Sequence, residues 1–276
     1  MTSADNKMKG SQKMKEKLNT IAKQERVKNL RPIDDVFFEV LAEKKEVCEE
    51  ILRTILEDPQ LRVLDVIVQR SERNIYGRSV RLDALCTLGD GTKCNIEVQR
   101  ADNDNHLKRA RFNAASITVK ESNIGDTFDD VVNVYIVYIS EFDFLKKGKT
   151  IYHIDKVIRE TGDVVDDGLH EIFVNTTIDD GSDIAELMSC FIKKEVKNPK
   201  FPQLSSEVKR LKETEGGINM MSEIMEQYNR EAVDEEKADR IEKMFRMGYS
   251  LEQVERLYDE VSKNLIEEIY ASVGRK

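Results

Sequence analysis

Two alternating runs of apolar and polar residues flank a Gly-Asp-Gly turn at residues 89–91, a pattern that is typical of a β-hairpin. Side chains alternate between the two faces of a strand, so the loop length decides which residues of the two strands share a face. If the loop has three residues, with its last glycine in the left-handed conformation, Asp83 lies opposite Glu97 and Cys86 lies opposite Cys94. A loop of two residues would send the two carboxylates to different faces.

The three-residue loop predicts a small acidic cluster on one face of the hairpin. Asp83 and Glu97 are then cross-strand neighbours, and the amide of Gln99 follows two residues along on the same side. Carboxylate oxygens on adjacent strands are the ligands that a hard divalent cation prefers. The hairpin thus indicates a metal site, unless it is a surface hairpin on which the two acids are incidental.

The same residues resemble a known motif. An acid on the first strand, followed across the turn by Glu-x-Gln, is similar to the pattern of the PD-(D/E)xK nuclease superfamily. More narrowly, the runs Leu82-Asp83 and Ile96-Glu97-Val98-Gln99 resemble the branch of recombination-promoting nucleases and transposase-like proteins, in which Gln commonly stands where other members have Lys. Leu82 occupies the place of the Pro in the name of the motif. The resemblance extends over residues 30–195.

This resemblance implies catalytic and metal-binding roles for particular residues. Asp83 and Glu97 would hold Mg²⁺, with Mn²⁺ as a substitute and the carbonyl oxygen of Val98 as a further ligand. Gln99 would orient the attacking water, because an amide neither carries charge nor acts as a general base. Asp34, shortly ahead of a Phe on the helix before the sheet, resembles the acid of the family's first motif. By position it is equally suited to cap the N-terminus of that helix.

The helix predicted at residues 106–121 presents basic side chains just downstream of the Glu-x-Gln strand. It resembles the helix that follows the motif in the family, although Phe and Asn at residues 112–113 replace the usual aromatic pair. Near the metal, Lys108, Arg109 and Arg111 could hold the scissile phosphate of DNA. The alternative is that they form a solvated helix face.

The order of the elements predicts an α/β fold in which helices flank a mixed central sheet, and the resemblance implies that this core is restriction-endonuclease-like. A helix opened by Pro32 and ended by Asp58-Pro59 comes first, and a strand at Leu61–Val68 precedes the hairpin. The strand at Val131–Ser140 follows the basic helix and should therefore lie parallel to the second hairpin strand. The later elements are two strands and a helix, predicted at residues 149–158, at residues 168–175 and from Ser182 onward.

We predict three segments along the chain. Residues 1–28 form a basic, flexible N-terminal segment, residues 29–197 the nuclease-like domain and residues 198–276 a helical C-terminal extension. The extension should break at Gly216-Gly217 and again at Gly248, with a capped restart two residues later. Its helices could assemble a homo-oligomer, whereas their acidity disfavours a helix-turn-helix that reads DNA.

Charge is unevenly distributed along the chain. The net charge is −9 over 276 residues, but residues 1–31 carry nine Lys and Arg against three acids, so the remainder is strongly acidic. An acidic body disfavours tight nonspecific binding to DNA. Metal ions in the acidic site and phosphate contacts from the basic N-terminal segment could offset this repulsion.

Composition limits where in the cell the protein resides and which kinds of metal site it can form. Four cysteines without a CxxC or Cys/His spacing favour reduced thiols, and three scattered histidines disfavour a histidine-based metal cage. The longest apolar run, residues 131–139, is too short to span a bilayer. We therefore expect a cytoplasmic protein without a membrane partner.

The resemblance, together with the predicted acid pair, implies a Mg²⁺-dependent endodeoxyribonuclease that hydrolyses phosphodiester bonds in DNA. The resemblance implies that it acts in DNA recombination, in the manner of recombination-promoting nucleases. The alternative is a catalytically weak or inactive module that keeps the nuclease fold and acts in binding, regulation or oligomeric assembly. The missing Lys and the acidic body favour this alternative, whereas the intact set of Asp83, Glu97 and Gln99 argues against it.

Overall fold

The structure is a computed structural model that describes residues 21–72, 80–102 and 105–273. Two compact units make up the chain, residues 1–221 and residues 222–276. A mixed sheet flanked by helices occupies the first unit, and the second unit is helical. The predicted α/β fold with a restriction-endonuclease-like core is confirmed. The first unit extends past the domain boundary predicted at residue 197.

The strands of the described residues are β1 (Val63–Glu72), β2 (Val80–Leu88), β3 (Lys93–Gln99), β4 (Val134–Ser140), β5 (Ile151–Ile154), β6 (Lys156–Val157), β7 (Val164–Val165) and β8 (Leu169–Asn175). The central sheet has the order β1-β2-β3-β4-β8-β5, and β6 pairs with β7 in a separate hairpin. β3, β4 and β8 are parallel, whereas β1, β2 and β5 run antiparallel to their neighbours. The strand predicted at residues 149–158 is therefore interrupted, because β5 belongs to the central sheet and β6 to the separate hairpin.

The register of the hairpin β2–β3 agrees with a three-residue loop. Cys86 pairs with Cys94 and Ala84 pairs with Ile96. Gly91 adopts a positive φ of 91°, a conformation that an L-residue with a Cβ rarely takes. The two-residue loop is excluded by this register.

β4 lies parallel to β3, as the connection through a helix predicts. In this pairing Glu97 is the neighbour of Tyr138, and Val98 is the neighbour of Ile139. Paired residues of adjacent strands point to the same face of a sheet, so Tyr138 shares its face with Glu97.

The helices of the described residues are α1 (residues 21–29), α2 (Asp35–Ala42), α3 (Lys45–Ile55), α4 (His106–Glu121), α5 (Asp183–Phe191), α6 (Pro202–Glu213), α7 (Glu215–Arg246), α8 (Leu251–Leu257) and α9 (Lys263–Val273). Val27 of α1 is buried, and residues 1–20 of the predicted basic segment lie outside the described residues. The prediction of one continuous helix between Pro32 and Asp58 was wrong, because this segment forms two helices, α2 and α3. Lys44 between them is extended, with a ψ of 99°, and no Gly or Pro marks this break in the sequence.

α4 covers the face of the sheet that carries Glu97. Its buried residues Ala110, Ala114 and Ile117 pack in one apolar cluster with residues of β2, β4 and β8, namely Leu85, Ile136, Tyr138 and Phe173. The intervening hairpin residues Ala84 and Ile96 are also fully buried. Both faces of the hairpin are therefore covered, and its polar residues lie in a largely apolar environment.

The chain turns between α6 and α7 at Thr214, which is extended, and not at Gly216-Gly217 as predicted. Both glycines lie in the first turn of α7. A Cβ atom at Gly217 would lie 2.4 Å from the carbonyl oxygen of Arg210, so this glycine allows the start of α7 to approach the end of α6. The predicted break was wrong because the glycine serves a close contact and not a helix stop.

In the second unit, a small apolar cluster holds the helices together through Ile241, Phe245, Val254 and Ile266. The predicted stop at Gly248 is confirmed by its φ of 91°. Ser250 begins α8 with a capping box, in which its side chain and that of Gln253 each accept a backbone N–H of the other residue. Among the helices of the described residues, none combines the length and the apolar composition that crossing a membrane requires.

Candidate active site

Asp83 and Glu97 come together at the open end of the hairpin, one residue beyond the paired residues Ala84 and Ile96. The same register continued by one position places the two acids opposite each other on one face. Asp83 Oδ2 accepts a hydrogen bond of 3.0 Å from the backbone N–H of Val98, which ties the first acid to the strand of the second. Asp83 is 9% and Glu97 1% exposed.

Burial and mutual repulsion act together on this pair. Burial raises the pKa of Asp83 well above its usual range, and the negative charge of Glu97 raises it further. Burial also raises the pKa of Glu97, whereas the hydrogen bond from Asn95 and the positive charge of Arg109 oppose this rise. Asn95 Nδ2 donates to Glu97 Oε1 over 2.8 Å. Two buried carboxylates side by side form a site that favours a cation.

Arg109 of α4 is the basic residue that the structure brings to the acid pair. Its Nη1 donates to Gln99 Oε1 over 3.1 Å, and its Nη2 lies 3.5 Å from Glu97 Oε2. Gln99 Nε2 donates in turn to the carbonyl oxygen of Ala101 over 3.1 Å. Gln99 is therefore held from both ends of its amide, with a guanidinium beside it.

The other two basic candidates on α4 point elsewhere. Lys108 is exposed, and its backbone N–H donates to the side chain of the N-cap residue Asn105 over 3.0 Å. Arg111 is also exposed and lies near Glu171, whose pKa its positive charge lowers against the larger raising effect of burial. At about 100° per residue, Lys108 and Arg111 share a face of the helix while Arg109 points away from both, so the orientation that brings Arg109 to the acid pair directs the other two elsewhere.

Asp34 occupies the N-cap position of α2, but its side chain makes no capping hydrogen bond. It accepts instead from the backbone N–H of Arg31 over 2.6 Å and pairs with Arg100 over 2.9 Å. Glu141 binds the same two arginines. Asp34 thus belongs to a network of two acids and two arginines that joins the end of β3 to the segment before α2.

Asp35 is a residue of the site that the sequence reasoning missed. Its negative charge raises the pKa of the buried Asp83, so it lies close to the acid pair. Asp35 keeps contact with solvent, yet nearby protein atoms desolvate its carboxyl group and raise its pKa, against the positive charges of Arg100 and Arg109. The tandem of two acids at the start of α2 was the available signal, but only the helix geometry tells which of them faces the pair.

The donor set suits a hard divalent cation. Among the described residues, Glu97 Oε2 is buried and accepts no hydrogen bond, so one carboxylate oxygen has a coordination position to offer. In that part of the chain, no group of three or more His, Cys, Asp or Glu side chains converges into a metal cage. Mg²⁺ commonly takes one or two carboxylates and keeps several waters, so a pair of acids is sufficient for it. The residues present fit such an ion.

Comparison with known proteins agrees with the motif. The family model described as "PD-(D/E)XK nuclease family transposase" matches residues 32–244, which include Asp34, the hairpin and α4. Neither the curated proteins nor the solved structures contain a match to the chain. The matched residues make up well over half of the chain, and the resemblance read from the hairpin is confirmed. The chain therefore belongs to the PD-(D/E)XK nuclease family of transposases.

Proposed function

We propose that this protein is a metal-dependent DNA endonuclease that hydrolyses phosphodiester bonds, of the recombination-promoting nuclease type. Family membership supports a nuclease. The observation that carries the proposal is the buried pair of Asp83 and Glu97, in which Glu97 Oε2 accepts no hydrogen bond among the described residues. A buried pair of like charges costs stability, and a cation that the pair binds offsets this cost.

The ion would be held by the carboxylates of Asp83 and Glu97 and by the carbonyl oxygen of Val98. When bound, Mg²⁺, or Mn²⁺ in its place, supplies an activated water and neutralises charge that develops on the phosphate. The hydrogen bond from the Val98 N–H fixes the direction of the Asp83 carboxylate. Asn95 fixes Glu97 in the same way through Oε1, which leaves Oε2 for the ion.

Arg109 would supply the positive charge that Lys provides in other members of the superfamily. Its guanidinium lies between Gln99 and Glu97, and it neutralises Glu97 in the structure. Once Glu97 is committed to the ion, the guanidinium can donate to an oxygen of the scissile phosphate. Gln99, whose amide is held by Arg109 and Ala101, would orient the attacking water.

Contacts with DNA beyond the site would come from exposed basic residues. Lys108 and Arg111 lie on the solvent side of α4 and could bind neighbouring phosphates. Asp34 would act indirectly, because it holds Arg31 and Arg100 at the edge of the site. The role in recombination, a homo-oligomer formed through the C-terminal helices and a cytoplasmic location stay predictions.

Cleavage of supercoiled plasmid DNA tests the proposal. The wild type should nick the plasmid with Mg²⁺ or Mn²⁺ and lose this activity in EDTA. Asp83→Asn and Glu97→Gln should each abolish nicking, because each removes a charged ligand while keeping the shape of the side chain. Glu171→Gln is the matched control, since Glu171 is a partly buried acid of β8 that has no part in the site, and this variant should retain activity. A wild type that is inert with every divalent metal would favour the alternative of a binding module.

Moving the positive charge tests the role of Arg109. Arg109→Gln should slow nicking on the order of a hundredfold, the usual effect of removing one group that stabilises transition-state charge. Gln99→Lys in that background should recover part of the lost rate, because it returns a cation to the motif. Gln99→Lys alone should bring no gain, since the new ammonium meets the guanidinium of Arg109. Arg111→Gln serves as the control for loss of a helix cation, and an equal loss in this variant would contradict the assignment.

A further inference from the structure

The first turn of α4 carries a buried histidine whose two ring nitrogens are both hydrogen-bonded. His106 is 4% exposed, with Nδ1 at 2.8 Å from Tyr138 Oη and Nε2 at 3.0 Å from Asp102 Oδ1. An ionised carboxylate only accepts hydrogen bonds, so Nε2 donates to Asp102, and Nδ1 is the ring nitrogen that meets the Tyr138 hydroxyl. The histidine therefore connects the segment before α4 to the central strand β4.

Tyr138 places this connection directly beside the acid pair. It is fully buried and is the neighbour of Glu97 in the parallel pairing of β3 and β4. The rings of Phe142 and Phe144 lie 5.0 and 5.2 Å from the His106 ring and enclose it. A hydrogen bond in such apolar surroundings is costly to break, because water cannot replace the lost partner.

Arg109 follows His106 by three residues, so the two are neighbours on the surface of α4. Beside them, the face of α4 that packs on the sheet carries Ala110 and Ala114. These contacts, with those of Ile117 further along the helix, are apolar and non-directional, so they do not by themselves specify where the first turn lies along the sheet. A directed hydrogen bond at the first turn can fix the position of the helix along the sheet.

We propose that His106 is a positioning residue for Arg109. Through its hydrogen bond to Tyr138 it sets the position of α4 on the sheet, and this position brings the guanidinium to Glu97 and Gln99. The effect on cleavage rests on the proposed nuclease function, whereas the placement of Arg109 does not depend on it.

Tyr138→Phe removes one hydroxyl from this connection and keeps the aromatic ring. We expect the rate of Mg²⁺-dependent nicking to fall on the order of tenfold to a hundredfold, the effect of a small misplacement of a group that acts on the substrate. In the Arg109→Gln background the same substitution should bring no further loss, because its target is already absent. An equal loss in both backgrounds would overturn the proposal, since it would indicate a general structural role. Tyr135→Phe, which removes a hydroxyl from the opposite face of β4, where Tyr135 stacks on His170, should leave the rate unchanged.

A second measurement separates this proposal from the nuclease function. NMR signals of the arginine guanidinium groups, recorded without metal or DNA, measure how tightly Arg109 is held. The signals that disappear in Arg109→Gln are those of Arg109. Tyr138→Phe should move these signals toward those of exposed arginines, and His106→Phe, which removes both ring nitrogens, should move them in the same direction. If the wild type cleaves no DNA but the signals move, the nuclease function fails and the positioning role stands. If the wild type cleaves DNA and neither variant moves the signals, the positioning role is refuted.

Discussion

The buried acid pair makes a definite prediction for Glu97→Gln in protein without metal. Glu97 is 1% and Asp83 9% exposed, so neither charge is well solvated. Cross-strand neighbours lie about 5 Å apart, and at an effective dielectric constant of about 20 two like charges at this separation repel by about 3 kcal/mol. Glu97→Gln keeps the shape of the side chain and removes this repulsion.

Two favourable contacts weaken in the same variant. The ion pair between Arg109 Nη2 and Glu97 Oε2 spans 3.5 Å, and the arginine side chain is 35% exposed, so its loss costs about 1 kcal/mol. The hydrogen bond from Asn95 loses its charged acceptor, which costs about 1 kcal/mol more. The variant should therefore gain about 1 kcal/mol of stability, which raises the Tm of the first unit by about 2–4 °C.

Calorimetric melts in EDTA and in excess Mg²⁺ measure this gain and its reversal. Mg²⁺ at a hundredfold excess over its Kd should stabilise the wild type by about 2.7 kcal/mol. This stabilisation corresponds to a rise of about 5–11 °C in the Tm of a unit of this size. Glu97→Gln should respond much less, because one ligand has lost its charge, whereas Glu171→Gln should behave like the wild type. The reasoning is refuted if Glu97→Gln melts several degrees below the wild type in EDTA, or if it gains as much from Mg²⁺.

Three further predictions follow from particular residues. Burial raises the pKa of both Asp83 and Glu97, so the metal-free protein should gain stability as the pH falls and the two carboxylates take up protons. Over the same pH range, calorimetric titration should show that Mg²⁺ binds more weakly and that its binding releases protons. Burial lowers the pKa of Lys212 from 10.5 to about 8, so between these pH values the unfolded chain binds more protons than the folded protein. Denaturant titrations should therefore show the stability of the wild type rise from pH 8 to pH 10.5, and Lys212→Met should lack this rise. Gly217→Ala should lower stability by about 1–3 kcal/mol, because the added methyl group clashes with α6. At Gly216 the methyl group meets open space, so Gly216→Ala should raise stability by about 0.5–1 kcal/mol. Denaturant midpoints measure both changes.

Those features that depend on local sequence were predictable. The alternation around residues 89–91 predicted the hairpin and limited it to two registers, one of which brings Asp83 to Glu97 and is the one that the structure has. The parallel pairing of β3 and β4 followed from the intervening helix, and the start of α8 followed from the capping residues at Ser250. In each case neighbouring residues in the chain carry the information.

Other features depend on contacts between distant segments, and the sequence alone left them open. The break between α2 and α3 carries no Gly or Pro, and the glycine at residue 217 marks a close contact with α6 and not a helix stop. At residue 217, the close approach of α6 overrides the local tendency of glycine to end a helix. Periodicity could not show these contacts, because it reports which face of a helix is buried but not what covers it.

The sequence by itself determined that Glu97 and Gln99 share one face of a strand and reduced the position of Asp83 to two possible registers, because strand alternation and turn geometry are local. Only the tertiary structure decided which charges meet this face. Three cations on α4 were equal candidates in the sequence, and the orientation of that helix on β4 selects Arg109. The same packing joins His106 to Tyr138, and the placement of α2 brings Asp35 near Asp83. Electrostatic interactions act through space over a few ångströms, so the partners of a buried charge are decided by the fold and not by their order in the chain.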